Sequence, residues 1–120
     1  MSDPNFVILY VDSAQASAKF YADLLGRAPV ETSPTFAMFK LDSGVMFGLW
    51  SKGGVEPPAK AAGGSELAFT VDSANAVDTT HADWRKRGIA IAQAPTEMDF
   101  GRTFVGLDPD GHRLRVFAPR

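Results

Sequence analysis

A chain that makes and breaks bonds usually displays a nucleophile, a set of metal ligands or a tuned acid–base pair, and this one displays little of each. It has no cysteine, which excludes disulfides, thiolate metal sites and a cysteine nucleophile. Its two imidazoles, His81 and His112, fall on a helical stretch and in a turn, without a partner at a spacing that suits metal binding or nucleophile activation. Asp108-Pro109-Asp110-Gly111 begins like a calcium loop, but the later ligands and the closing glutamate are missing, so it reads as a turn. Glu97 and Asp99 are two apart, open to acid–base work but equally the pattern of two solvated carboxylates in a loop. The glycines at 53, 54, 63 and 64 do not open a helix in the phosphate-cradling pattern. What remains is aromatic surface. Residues two apart on a strand share a face, so Phe6 goes with Ile8 and Tyr10, Gly48 with Met46 and Trp50, and Arg115 with Arg113 and Phe117.

The elements that must position these residues come in two matching sets. Val11-Asp12-Ser13-Ala14-Gln15-Ala16 returns almost unchanged as Val71-Asp72-Ser73-Ala74-Asn75-Ala76, each time after an apolar run and before an amphipathic helix. In the first half, Phe6 to Val11 reads as a strand, and Asp12 and Ser13 offer N-cap oxygens. Phe20, Tyr21, Leu24 and Leu25 then mark the apolar face of a helix that Gly26 stops. A short strand fits around Pro29 to Thr32; Phe36 to Leu41 and Val45 to Trp50 read as a hairpin turned by Asp42-Ser43-Gly44. In the second half, Glu66 to Val71 repeats the strand and Ala74 to Arg87 the helix, with Val77, Thr80, His81 and Trp84 inward. Ile89 to Ile91 is a short strand, and Thr103 to Leu107 pairs with Arg113 to Phe117. The sequence predicts one α+β domain over 1–120, made of βαβββ modules at 5–52 and 65–120, joined by a glycine- and proline-rich linker at 53–64.

The order βαβββ twice, Val-Asp-Ser before each helix, Phe20-Tyr21 with Leu24-Leu25-Gly26, and Leu107-Asp108-Pro109-Asp110-Gly111-His112 together resemble the vicinal oxygen chelate superfamily. That group contains glyoxalase I, extradiol dioxygenases, and fosfomycin- and bleomycin-resistance proteins. The resemblance implies modules curled into half-barrels around a shared cavity, often in a homodimer with exchanged modules. It also implies a divalent metal held at equivalent points of the two modules. Carried onto this chain, those points are Phe6, Gly48, Glu66 and Arg115. A catalytic metal needs about three nitrogen or oxygen ligands and an open position; here only Glu66 can coordinate, and Arg115 brings a cation of its own. The resemblance therefore implies no metal and no other cofactor, with Arg115 either pairing with Glu66 or facing a ligand.

Within that group, Leu49-Trp50-Ser51 with the following glycines, Ser65-Glu66 and Asp99 to Phe104 look most like the non-metal phenazine-antibiotic-resistance type of binding protein. The implied function is sequestration of a planar aromatic compound, for antibiotic resistance or natural-product binding. Trp50 would stack on the ligand, although a strand-end tryptophan can equally cap a core. Gly48 would leave room for a ring, with Phe6, Tyr10 and Met46 as lining. Phe100, Arg102 and Phe104 would form a rim, Arg102 reaching for a ligand carboxylate. The alternative is a metal-dependent lyase, isomerase or dioxygenase that uses unrecognised ligands, or Glu66 as a base. A formal charge of −2 supplies no basic stripe for nucleic acid. No leader pattern and no membrane-length apolar run is present, so the expected location is the cytoplasm and no membrane is expected as a partner.

Overall fold

Ser13 and Ser73 do the same work in two places. Each sits just before a helix with extended backbone, and its hydroxyl oxygen accepts the N–H of the residue three ahead, Ala16 or Ala76, at 3.1 Å. Around these caps the computed structural model, which describes residues 4–56, 58–61 and 63–120, forms two compact units at 1–61 and 62–120. The first unit runs β1 (Phe6–Val11), α1 (Ala14–Leu25), β2 (Glu31–Thr32), β3 (Phe36–Lys40) and β4 (Met46–Ser51). The second runs β5 (Glu66–Thr70), α2 (Ala74–Lys86), β6 (Ala90–Met98), β7 (Gly101–Leu107) and β8 (Arg113–Pro119). Their sheets have equivalent orders, β1-β4-β3-β2 and β5-β8-β7-β6, with the first strand parallel to the last and the other pairs antiparallel. The fold is α+β, two βαβββ modules.

In each module the helix covers one face of its sheet and makes the core there. Tyr21 of α1 stands edge-on to Phe47 at 4.9 Å, over fully buried Phe39 and Leu49. The covered face of α1 is Ala14, Ser17, Ala18 and Tyr21, while Phe20, Leu24 and Leu25 are only half-buried. The expected face was thus rotated. Small residues at 14, 17 and 18 let the helix approach the sheet closely, and Tyr21 alone fills the gap farther along. In the second module Trp84 meets Phe104 at 5.2 Å and Phe69 at 6.1 Å, above buried Leu114 and Val116.

The turns follow the sequence closely. Gly26 ends α1 at φ 67°, and Gly44 (φ 93°) and Gly111 (φ 85°) close the equivalent hairpins. In the second of these, the buried Asp108 carboxylate accepts the N–H of Asp110 at 2.9 Å and of His112 at 2.8 Å. One strand is far longer than expected: β6 continues past Ile91 to Met98, which puts Glu97 in a strand rather than a loop. A proline inside a strand removes a ladder donor, but β6 is an edge strand whose pairing with β7 shifts register between Gln93 and Thr96, and Pro95 falls in that shift. Among the described residues no helix is long and apolar enough to cross a membrane.

Candidate functional site

The face of each sheet that its helix leaves uncovered carries the candidate site, and the two faces differ in chemistry. In the first module, strand alternation places Phe6, Ile8 and Tyr10 of β1 beside Met46, Gly48 and Trp50 of β4, in that register, with Phe36 and Met38 of β3 beyond. Phe6, Ile8 and Tyr10 are each more than two-fifths exposed, and Trp50 is half-buried. Tyr10 and Trp50 meet edge to face at 6.4 Å. Trp50 belongs to this open face and not to the helix-side core, because its strand neighbours Leu49 and Ser51 point the other way, Ser51 accepting the Ala14 N–H at 3.1 Å.

Gly48 departs from expectation. The space above it is already filled by the protein's own rings: a Cβ there would lie 2.9 Å from Phe36 Cζ and 3.1 Å from Phe6 Cε1. The glycine lets two phenylalanines settle onto the sheet, making a broad apolar floor.

In the second module the open face is polar. Arg115 Nε donates to Glu66 Oε1 at 2.6 Å, and its Nη1 donates to Thr103 Oγ1 at 3.1 Å and Gln93 Oε1 at 3.4 Å. The Thr103 hydroxyl in turn donates a hydrogen bond to the Val116 carbonyl at 2.9 Å, so the network is anchored in the strand backbone. The guanidinium also lies 5.8 Å from the centre of the Phe100 ring, which stands edge-on to Phe117 at 5.6 Å. Gln93 and Thr103 were not singled out in the sequence, while Phe117 was placed on the same face as Arg115. Thr103 pairs with Phe117, two residues along from Arg115 on the same face, whereas Gln93 lies in the part of β6 beyond Ile91, where the expected strand ended.

Arg102 and Phe104 need correction. Phe104 is fully buried on the helix side, against Trp84 and His81, where no ligand on the open face reaches it. Arg102 points the same way, its Nε on Asp78 of α2 at 2.8 Å and its Nη1 on Glu97 at 3.2 Å. Those hydrogen bonds, that to Asp78 first, raise its pKa above the usual arginine value. It ties α2 to β6 and β7 on the helix side of the sheet, away from the open face.

The four points at which related proteins would hold a divalent metal carry two phenyl-filled positions and an ion pair. Phe6 and Gly48 supply no donor atom, and the one carboxylate, Glu66, is already taken by Arg115. Among the described residues no group of three or more His, Cys, Asp or Glu side chains is placed to hold a metal ion. This donor set does not fit a divalent cation.

Comparison with known proteins bears on the fold and the family. Residues 4–116 match the family model described as the Glyoxalase/Bleomycin resistance protein/Dioxygenase superfamily. The chain is 34% identical over 116 residues to the phenazine antibiotic resistance protein EhpR of Enterobacter agglomerans, covering 94% of this chain and 89% of that protein. Among solved structures, protein ATC0852 from Agrobacterium tumefaciens superposes with a TM-score of 0.92 at 52% identity, covering 100% of this chain and 99% of that one. A glyoxalase-related enzyme from Fulvimarina pelagi superposes with a TM-score of 0.84 over 98% of this chain and 88% of its own; at 21% identity it speaks for the fold alone.

Proposed function

The chain belongs to the glyoxalase/bleomycin resistance protein/dioxygenase superfamily, and from that premise we propose that it binds a planar aromatic small molecule without a metal and holds it unchanged. The proposed role is sequestration in the cytoplasm, in antibiotic resistance or the binding of a natural product. The observation that carries the reading is the open face of the first module: Phe6, Ile8, Tyr10, Phe36 and Trp50 form a predominantly apolar, aromatic surface. A flat ring laid against Trp50 gains about 0.5–1.5 kcal/mol beyond the area it buries. Met38 and Met46 adapt to its outline. The 34% identity to a phenazine resistance protein supports the same class of ligand.

The test is a titration of tryptophan fluorescence with phenazine on metal-stripped protein. Saturable quenching is expected to survive chelation and to vanish in Trp50→Phe, because the remaining tryptophan, Trp84, is buried on the sheet-facing side of α2. By calorimetry, Trp50→Ala is expected to weaken binding about tenfold. Quenching that requires a restored divalent ion, or turnover of the added compound, would defeat the reading in favour of a metal-dependent enzyme.

A further inference from the structure

The open face of the second module carries one more guanidinium than its carboxylate neutralises. Arg113 and Arg115 are two apart on β8 and project to the same side of the sheet. Arg115 spends Nε on Glu66 and Nη1 on Thr103 and Gln93, and its Nη2 makes no hydrogen bond with a described residue. The Arg113 side chain has neither a hydrogen bond nor an ion pair with any described residue. Both arginines line a hollow of about 250 Å³ whose remaining walls are Ala92, Gln93 and Val105.

We infer that this hollow seats the carboxylate of a small organic acid between Arg113 and the free edge of Arg115. Glu66 faces the Nε edge of Arg115 and is satisfied there, so it leaves the Nη2 edge to a second anion. Two guanidiniums against one carboxylate leave a single positive charge on this face, which one bound carboxylate cancels. Arginine suits the task because its planar fork matches a carboxylate, and such charge-assisted hydrogen bonds are among the strongest a protein makes. Ala92 and Val105 give short apolar walls, which favour an acid with a hydrocarbon body over a bare inorganic anion. The volume lies below the roughly 300–1,000 Å³ of sites that enclose a whole drug-sized molecule. The hollow therefore takes a compact acid, or the acidic end of something larger. The inference deepens the proposed function, from which it takes only that the natural ligand is a small organic molecule. It stands on the second module alone.

Benzoate and its uncharged counterpart benzamide separate the possibilities, followed by ¹H–¹⁵N NMR on the full chain. Benzoate is expected to shift the signals of Gln93, Val105, Arg113 and Arg115, including the arginine Nε–H groups, in a saturable way, and benzamide to leave them in place. Arg113→Met should weaken benzoate at least about tenfold, the loss of one charge-assisted contact. Arg113 is exposed on the sheet surface, so the rest of the spectrum should be preserved; Arg113→Lys should recover part of the affinity. Benzoate that moves none of these signals, that moves them equally in Arg113→Met, or that is matched by benzamide overturns the inference. Phenazine quenching at Trp50 is read separately, so failure of either site is distinguishable from failure of the other.

Discussion

Gly48 and Gly101 lack side chains for different reasons, and substitution should expose the difference. At Gly48 an added methyl meets the outer atoms of two phenyl rings, Phe36 and Phe6, which sit on an open face and can swing away. Gly48→Ala is expected to cost about 1 kcal/mol by overpacking and to alter ligand affinity more than stability. At Gly101, φ is 139° and a Cβ would fall 1.9 Å from the Ala118 carbonyl oxygen, which is backbone and cannot turn aside. Gly101→Ala is expected to cost more than about 3 kcal/mol, read as a fall in the urea midpoint. Sequence reasoning met its limit at the same scale, in β7. Alternation says that Arg102 and Phe104 share one side and Thr103 and Val105 the other, but not which side the helix covers. That choice is made by Trp84, whose ring packs over Gly106, where a side chain would lie 2.8 Å from it; Phe104 and Arg102 follow to the helix side. The Glu66–Arg115 pair was one of two alternatives the sequence left open, the other being an Arg115 that faces a ligand; the structure forms the pair at 2.6 Å, since a carboxylate next to a guanidinium on one sheet face is stabilised by pairing.

Among elements, the helices owe their starting points to one hydroxyl each. Neither has an acidic residue in its first turn to assist the exposed N–H groups. Ser13→Ala and Ser73→Ala are each expected to destabilise the protein by about 1 kcal/mol. With the caps in different modules and no shared partner, the double variant should show the sum; thermal unfolding of the three variants checks both statements. The element order, the hairpin turns and both caps were readable because each depends on local chemistry: a serine oxygen, a glycine with positive φ, an alternating run. The length of β6 was not. A proline in a strand is tolerated or forbidden according to whether its missing N–H faces a neighbour, and edge position is a property of the sheet, not of the nine residues themselves. The covered face of α1 was hidden for a related reason, since Ala14, Ser17 and Ala18 are buried for their smallness and not for hydrophobicity.

For the whole molecule, β1 raises the question of association. It is an edge strand, and Phe6, Val7, Ile8 and Tyr10 are all between 39% and 43% exposed, a combination that soluble chains usually cover. A homodimer is the expected state, so sedimentation equilibrium should return about twice the 12.9 kDa chain mass; a monomer at micromolar concentration would count against it. The two modules also amount to an experiment in divergence already performed. Beneath the helices both copies keep aromatic and aliphatic packing, Tyr21 on Phe47 in one and Trp84 on Phe104 in the other. On the uncovered faces the chemistry differs at key points: Phe6 answers to Glu66 and Gly48 to Arg115, although Trp50 and Phe117 are both aromatic. Because the helix-side core lies on one side of each sheet, the other side can be apolar in one module and charged in the other on the same scaffold. A lineage built on this plan can change its ligand by a few substitutions that the fold scarcely registers.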